Sequence, residues 1–246
     1  MITNSLSKPP QKHYIPSRKL EAKAAMTVVV GFRCKEGIVI CADRQVSSVG
    51  SFKYEEQKIT KLESAGESIV FAYSGLPSLA GEARDKILAK CSDRSNEIVY
   101  EAADAVLTEM RRLYTDLNLQ FLIGTVVLNQ EPDLIKFDGK GLHVADDYNF
   151  LGVGNSGLLR FLAETMYSPQ MNVKDAINLA IYCVQKAEDH IDECGGLIDV
   201  SILTRGNERC ESLSPESIQD RIKQMEKQEA LLTDLIIRKP FSSLPT

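Results

Sequence analysis

Apolar residues recur along this chain with two different periods, and the switches between them mark out its elements. Thr27-Val28-Val29-Val30-Gly31 leads to Cys34, and a Lys35-Glu36-Gly37 turn then leads into Ile38-Val39-Ile40-Cys41-Ala42-Asp43-Arg44. This reads as two short strands with a tight connection, a threonine at the outer end of the first and an Asp-Arg pair closing the second. Residues 58–62 alternate polar and apolar, and residues 68–75 form an apolar run ending at Gly75, as a buried strand would. The period then lengthens. Residues 78–89 and 96–114 read as helices, the second from Ile98, Ala102, Val106 and Met110.

Short strands return at 121–128, 134–137, 142–145 and 150–152, separated by the turn-forming segments 129–132 and 138–141. A second helix pair follows at 157–166 and 173–189, with Asn172 and Asp175 as start signals. Gly195-Gly196 precedes a strand over 197–204. Ser214-Pro215-Glu216-Ser217 opens a last helix that runs to about Arg238. Along that helix Ile218, Ile222, Met225 and Ala230 read as a face turned to the protein's own core. Strands clustered as hairpins between helix pairs predict antiparallel sheets covered by helical layers, not a parallel doubly wound sheet. The expected fold class is therefore α+β, with two facing antiparallel sheets sandwiched between helices.

At 246 residues with 43% hydrophobic content, the chain suits one large domain. The expected organisation is an N-terminal extension or propeptide over 1–26, a single domain over 27–238 and a tail over 239–246. No apolar run reaches the roughly 18 to 20 residues that span a bilayer. The first 25 residues are basic and polar and lack the apolar centre of a secretory signal. A net charge of -5 provides no concentrated basic face for nucleic acid. Six cysteines without C-x-x-C spacing read as reduced thiols of a cytoplasmic protein. His13, His143 and His190 are too scattered for a zinc site, so neither metal nor cofactor is expected.

A threonine at a strand end is chemically idle unless the chain begins there. Starting or cutting the chain after Met26 would put a free amine beside the Thr27 hydroxyl, and that pairing activates an otherwise weak nucleophile. T-V-V-V-G from Thr27, K-E-G-I-V-I-C-A-D-R from Lys35, Q-K-I-T-K-L from Gln57 and Y-S-G-L from Tyr73 occur in that order, followed by C-G-G-L-I-D-V-S-I-L-T-R from Cys194 and S-P-E-S-I-Q-D-R-I from Ser214. Together these segments, spanning about residues 26–225, resemble the proteasome β-subunit type of N-terminal nucleophile (Ntn) hydrolase, a family that includes the bacterial two-ring threonine peptidases.

The resemblance implies the four-layer αββα Ntn-hydrolase fold and a threonine-type endopeptidase. Thr27 aligns with the family's nucleophile, Asp43 with its acidic partner, Lys58 with its essential lysine and the Gly75 N–H with its oxyanion donor. Ser156 and Asp192 match the late helper motifs imperfectly, Cys194 stands where serine is common, and Val46 and Tyr73 fall near the first specificity pocket. Met26 replaces the glycine that usually precedes a self-cleaved threonine, whereas translation from Met26 followed by methionine removal would expose Thr27 directly. Gln45 stands where many members carry arginine. The resemblance also implies a ring of identical or homologous subunits, a possible ATPase activator and unfolded polypeptide substrates. Two other readings remain: a catalytically inactive structural ring subunit, α-like or inactive β-like, and a small-substrate amidase or acylase. Taken singly, Thr27 is also an ordinary strand threonine, Asp43-Arg44 a surface turn, Lys58 a solvated lysine and Gly75 a bend.

Overall fold

The computed structural model describes residues 27–47, 53–64, 67–91, 97–114, 117–127, 131–145, 147–152, 157–206 and 209–238. The predicted Lys-Glu-Gly hairpin joins β1 (Val28–Cys34) to β2 (Gly37–Asp43). A short ribbon, β3 (Gln45–Ser47) with β4 (Lys53–Glu55), follows; the alternation had not marked it, because three-residue strands carry too few positions to show a period. Next come β5 (Ile59–Ser64), β6 (Glu67–Gly75), α1 (Pro77–Cys91) and α2 (Glu97–Leu113). The middle strands are β7 (Leu119–Val127), β8 (Asp133–Phe137), β9 (Leu142–Ala145) and β10 (Tyr148–Gly152). The chain continues through α3 (Gly157–Met166), α4 (Val173–His190), β11 (Ile198–Thr204), β12 (Glu211–Ser212) and α5 (Pro215–Thr233), which ends in a π-helical turn, Asp234–Arg238.

The strands form two five-stranded antiparallel sheets, ordered β10-β1-β2-β11-β12 and β5-β6-β7-β8-β9. Strand alternation assigns their faces. Val28, Val30, Phe32, Val39 and Cys41 pack outward with α3, α4 and Ile218 of α5, whereas Val29, Ile38, Ile40 and Ala42 point inward. In the second sheet Ile69, Phe71, Phe121 and Ile123 pack outward against α1 and α2, while Val70, Ala72 and Leu122 meet the first sheet. The α+β sandwich is thus four layers deep, with three apolar interfaces, and each fully buried Val, Leu or Ile contributes roughly 1.5 to 3 kcal/mol. The sheets approach so closely at Gly31 that a Cβ there would lie 2.5 Å from the Leu122 side chain.

Both predicted late helix starts are capped as their residues suggest. Asn172 Oδ1 accepts the Asp175 N–H at 2.9 Å, and Ser214 Oγ accepts the Ser217 N–H at 3.2 Å, with Pro215 opening α5. The core-facing reading of α5 holds only for its first half. Ile218 is buried and Ile222 and Met225 pack against the first core, but Ala230 is exposed, and Leu231 and Leu235 are 71% and 65% exposed. The helix outruns the sheet it covers.

Candidate active site

The β1–β2 register opposes Val29 to Ala42, which brings the start of β1 beside Asp43. The Val28 N–H donates to Asp43 Oδ1 at 3.0 Å, placing the carboxylate against the peptide unit that links Thr27 to Val28. On the other side of β1, Val28 opposes Gly152 of β10. Gly152 has φ +62°, and a Cβ there would lie 2.1 Å from the Thr27 carbonyl oxygen and 2.8 Å from Ser74 Oγ. Only glycine permits that approach without displacing Thr27. The Gly152 N–H donates to Gln120 Oε1 at 2.8 Å, and Gln120 opposes Ser74 in the β6–β7 pair. The second sheet therefore closes the end of β1 from below.

Lys58, immediately before β5, reaches this point from the second sheet. Its Nζ donates to Asp43 Oδ1 at 2.7 Å and to the Gln45 carbonyl at 2.5 Å. Asp43 Oδ2 accepts the Gly195 N–H at 3.2 Å. With Lys58 only 1% exposed and Asp43 fully buried, neither the solvated lysine nor the surface turn describes these residues. Burial pushes the Asp43 carboxyl up and the Lys58 ammonium down, and their contact opposes both shifts. Three donors converge on the carboxylate, which favours its ionised form. Removing either partner from such a pair costs about 3 to 5 kcal/mol, because the other charge stays buried alone.

The loop after α4 is tied down largely through its backbone. The Gln45 N–H donates to the Gly195 carbonyl at 2.8 Å, Arg44 N–H to the Leu197 carbonyl at 2.9 Å, and Gln45 Nε2 to the Asp192 carbonyl at 3.2 Å. Lys53 Nζ donates to that Asp192 carbonyl at 2.6 Å. Asp192 itself is exposed, and these two bonds use its main chain, not its carboxylate. Thr27 is buried, as is Cys194, whose thiol is pushed up to about 12 by burial first and the nearby Asp43 charge second. It stays protonated and has no nucleophilic character at neutral pH.

Thr27, Asp43 and Lys58 are thus gathered at the ends of β1, β2 and β5. Gly75 ends β6 with φ +121°, opposite Leu119, where a Cβ would lie 2.2 Å from the Asn118 carbonyl. Val46 is buried on β3. Tyr73 donates its backbone N–H to the Lys58 carbonyl at 3.3 Å, while its ring packs with the outer cluster beside α1 and its hydroxyl donates to Glu56 at 3.0 Å. Successive strand residues face opposite ways, so Ser74, not Tyr73, turns toward Thr27 and Gly152. Ser156 lies outside the described residues. Residue reading missed the Gln45 carbonyl and the Gly195 amide, since main-chain groups have no residue-type signal, and also Gln120 and Ser74, which only the sheet pairing brings to Gly152.

This fold and site find counterparts among known proteins. A family model described as proteasome subunit matches residues 24–203, and the chain belongs to that family. A proteasome subunit alpha of Methanobrevibacter smithii is 26% identical over 221 residues, covering 85% of each chain. A proteasome subunit beta 2 of Pyrobaculum neutrophilum is 27% identical over 197 residues, covering 77% of this chain and 94% of its own. Among solved structures, Anbu (ancestral beta-subunit) from Yersinia bercovieri superposes with a TM-score of 0.72 at 16% identity, over 89% of this chain and 98% of its own. A helical assembly of the Anbu complex from Pseudomonas aeruginosa gives 0.70 at 15% identity, over 89% and 98%. These superpositions establish the fold. No helix among the described residues is long and apolar enough to cross a membrane.

Proposed function

We propose that this chain is a threonine-type endopeptidase subunit of a proteasome-like ring assembly, with Thr27 as its nucleophile once residues 1–26 are absent. The observation that carries this reading is the buried Lys58–Asp43 pair, joined through one carboxylate oxygen to the amide that follows Thr27. A liberated α-amine has an ordinary pKa of about 7.7 to 8.0, and a fixed cation beside it lowers that value. Lys58 supplies the cation and Asp43 holds it in place. The unprotonated amine takes the Thr27 hydroxyl proton as Oγ1 bonds to the peptide carbonyl carbon, and the Gly75 N–H stabilises the oxyanion. The resulting ammonium gives its proton to the departing amine as the C–N bond breaks. Water then attacks the acyl-enzyme with the same amine as base. Assembly with copies or homologues, in the cytoplasm and fed by an ATPase, would restrict substrates to unfolded polypeptides.

N-terminal sequencing of the purified assembly, combined with peptide hydrolysis, tests this. The expected result is a chain beginning at Thr27 that cuts peptides and a Thr27→Ala variant that does not. An unprocessed chain that cuts peptides, or full activity in Thr27→Ala, overturns it.

A second reading, a non-catalytic ring subunit, is favoured by one specific observation. Several relatives of comparable identity are named proteasome subunit alpha. An intact mass matching residues 1–246 within the assembly, with no peptide hydrolysis, supports that role.

A further inference from the structure

The last turn of α4 holds a carboxyl group that the proposed chemistry does not use. Glu188 is half-buried, and its Oε1 is shut off from solvent without a hydrogen-bond partner. The same is true of Gln185 Oε1, three residues earlier on the same helical face. Two buried acceptors on one face of α4 lack a donor, and a proton on Glu188 makes that carboxyl a donor. The helix C-terminus, with its partial negative charge, also disfavours a carboxylate at this position.

The surroundings act in the same direction. On the α4 side of the first sheet, β1 and β11 present the apolar Val28, Val30, Ile198 and Val200, and α3 and α5 add Leu159, Ala163 and Ile218. The titratable neighbours are Cys41 and Asp43 from β2, Cys194 from the loop after α4, Asp189 on α4 itself, and Lys58. Burial first, then the charges of Asp43 and Asp189, push the Glu188 carboxyl up to about 7, against the pull of Lys58. Cys41 and Cys194 are held as neutral thiols by burial. Lys58 is therefore the only favourable charge among these neighbours.

We propose that Glu188 is a positioning residue behind the Thr27 site, holding its proton until the pH approaches neutral and weakening the influence of Lys58 on Thr27 when it loses that proton. With Glu188 neutral, Asp43 is the one carboxylate opposing Lys58, and the ammonium keeps its effect on the Thr27 amine. With Glu188 ionised, a second negative charge stands behind the pair, the amine pKa rises and less free base is present at a given pH. The kinetic consequence rests on the peptidase reading; the proton equilibrium does not.

Carboxyl ¹³C NMR of glutamate-labelled protein, with Glu188→Gln identifying the signal, tests the equilibrium. The expected midpoint is near neutral, moving down in Asp43→Asn and up in Lys58→Met. A midpoint in the ordinary glutamate range, or one that ignores both substitutions, overturns the proposal. If those two variants fail to fold, thermal stability of the parent against Glu188→Gln decides. A proton held more tightly in the folded chain than in the unfolded chain makes folding less favourable as pH rises from about 4.5 toward 7. The advantage of Glu188→Gln must then grow across that window and level off above it; a constant difference overturns the proposal. In an active assembly, kcat/KM of Glu188→Gln relative to the parent rises roughly two- to fourfold between pH 6 and 8, the effect of one partly screened charge. A purely structural role gives a ratio that does not change with pH. Absence of peptide hydrolysis in both proteins defeats the peptidase reading, while the NMR midpoint still decides the fate of the Glu188 proton.

Discussion

Lys58 Nζ and the Val28 N–H share a single acceptor, Asp43 Oδ1, at 2.7 and 3.0 Å, so the second sheet is bonded to the first at the residue after Thr27. The energetic consequence is specific. Lys58→Ala or Asp43→Ala should lose about 3 to 5 kcal/mol, whereas Lys58→Met with Asp43→Leu together should lose far less than the sum, because no charge is left buried alone. Urea denaturation in a double-mutant cycle measures this coupling.

Gly152 presents a backbone test of the same site. Its φ of +62° and the 2.1 Å approach to the Thr27 carbonyl mean that Gly152→Ala must move Thr27 or β10. We expect a loss of about 1 to 3 kcal/mol from the strained conformation alone, with a larger fractional loss of any peptidase activity. Gly157→Ala is the control: it lies five residues away with nothing within 4 Å of its Cβ position, and it should be tolerated. Denaturation midpoints of the two variants make the comparison.

The thiols should be silent at ordinary pH. All six cysteines are free and buried, and Cys183 and Cys194 are pushed up to about 12, in both cases chiefly by burial. Labelling of these two in the native protein should stay slow from pH 7 to 9, since a thiol pushed up to about 12 is only about one part in a thousand ionised at the top of that window. Mass spectrometry should find all six labelled once the chain is unfolded.

The end of α5 contributes little to the stability of its own subunit. Leu231, Leu235 and Ile236 are exposed, so replacing all three with glutamine should change the unfolding free energy of the isolated chain by no more than about 0.5 kcal/mol per site. Guanidinium denaturation checks the prediction.

Much of the fold was legible because a strand or helix writes its period locally. Val28 and Val30 alternate with Val29 and Gly31 whatever lies across from them, and Asn172 and Ser214 cap their helices through residues three positions away. The parity of β6 was also present in the sequence: Tyr73 must share a face with Phe71 and Ile69. Which of the two faces leads to Thr27 was not, because that depends on how one sheet lies on the other. The same limit applies to α5, where an apolar repeat looks alike over a core and beyond its edge.

By itself, then, the sequence determined the alternation of strands and helices, the glycine that ends a strand at residue 75, and a threonine, an aspartate and a lysine in segments whose family resemblance names a candidate chemistry. The tertiary structure alone decided that Lys58 is buried against Asp43, that Gly195 and the Gln45 carbonyl complete the pair, and that the Tyr73 ring lies on the α1 side of its sheet. The physical reason is range. Backbone periodicity and capping are settled within a few residues, whereas a buried ion pair between two sheets and its main-chain partners depends on contacts distant in sequence, made in part by amides and carbonyls that every residue type shares.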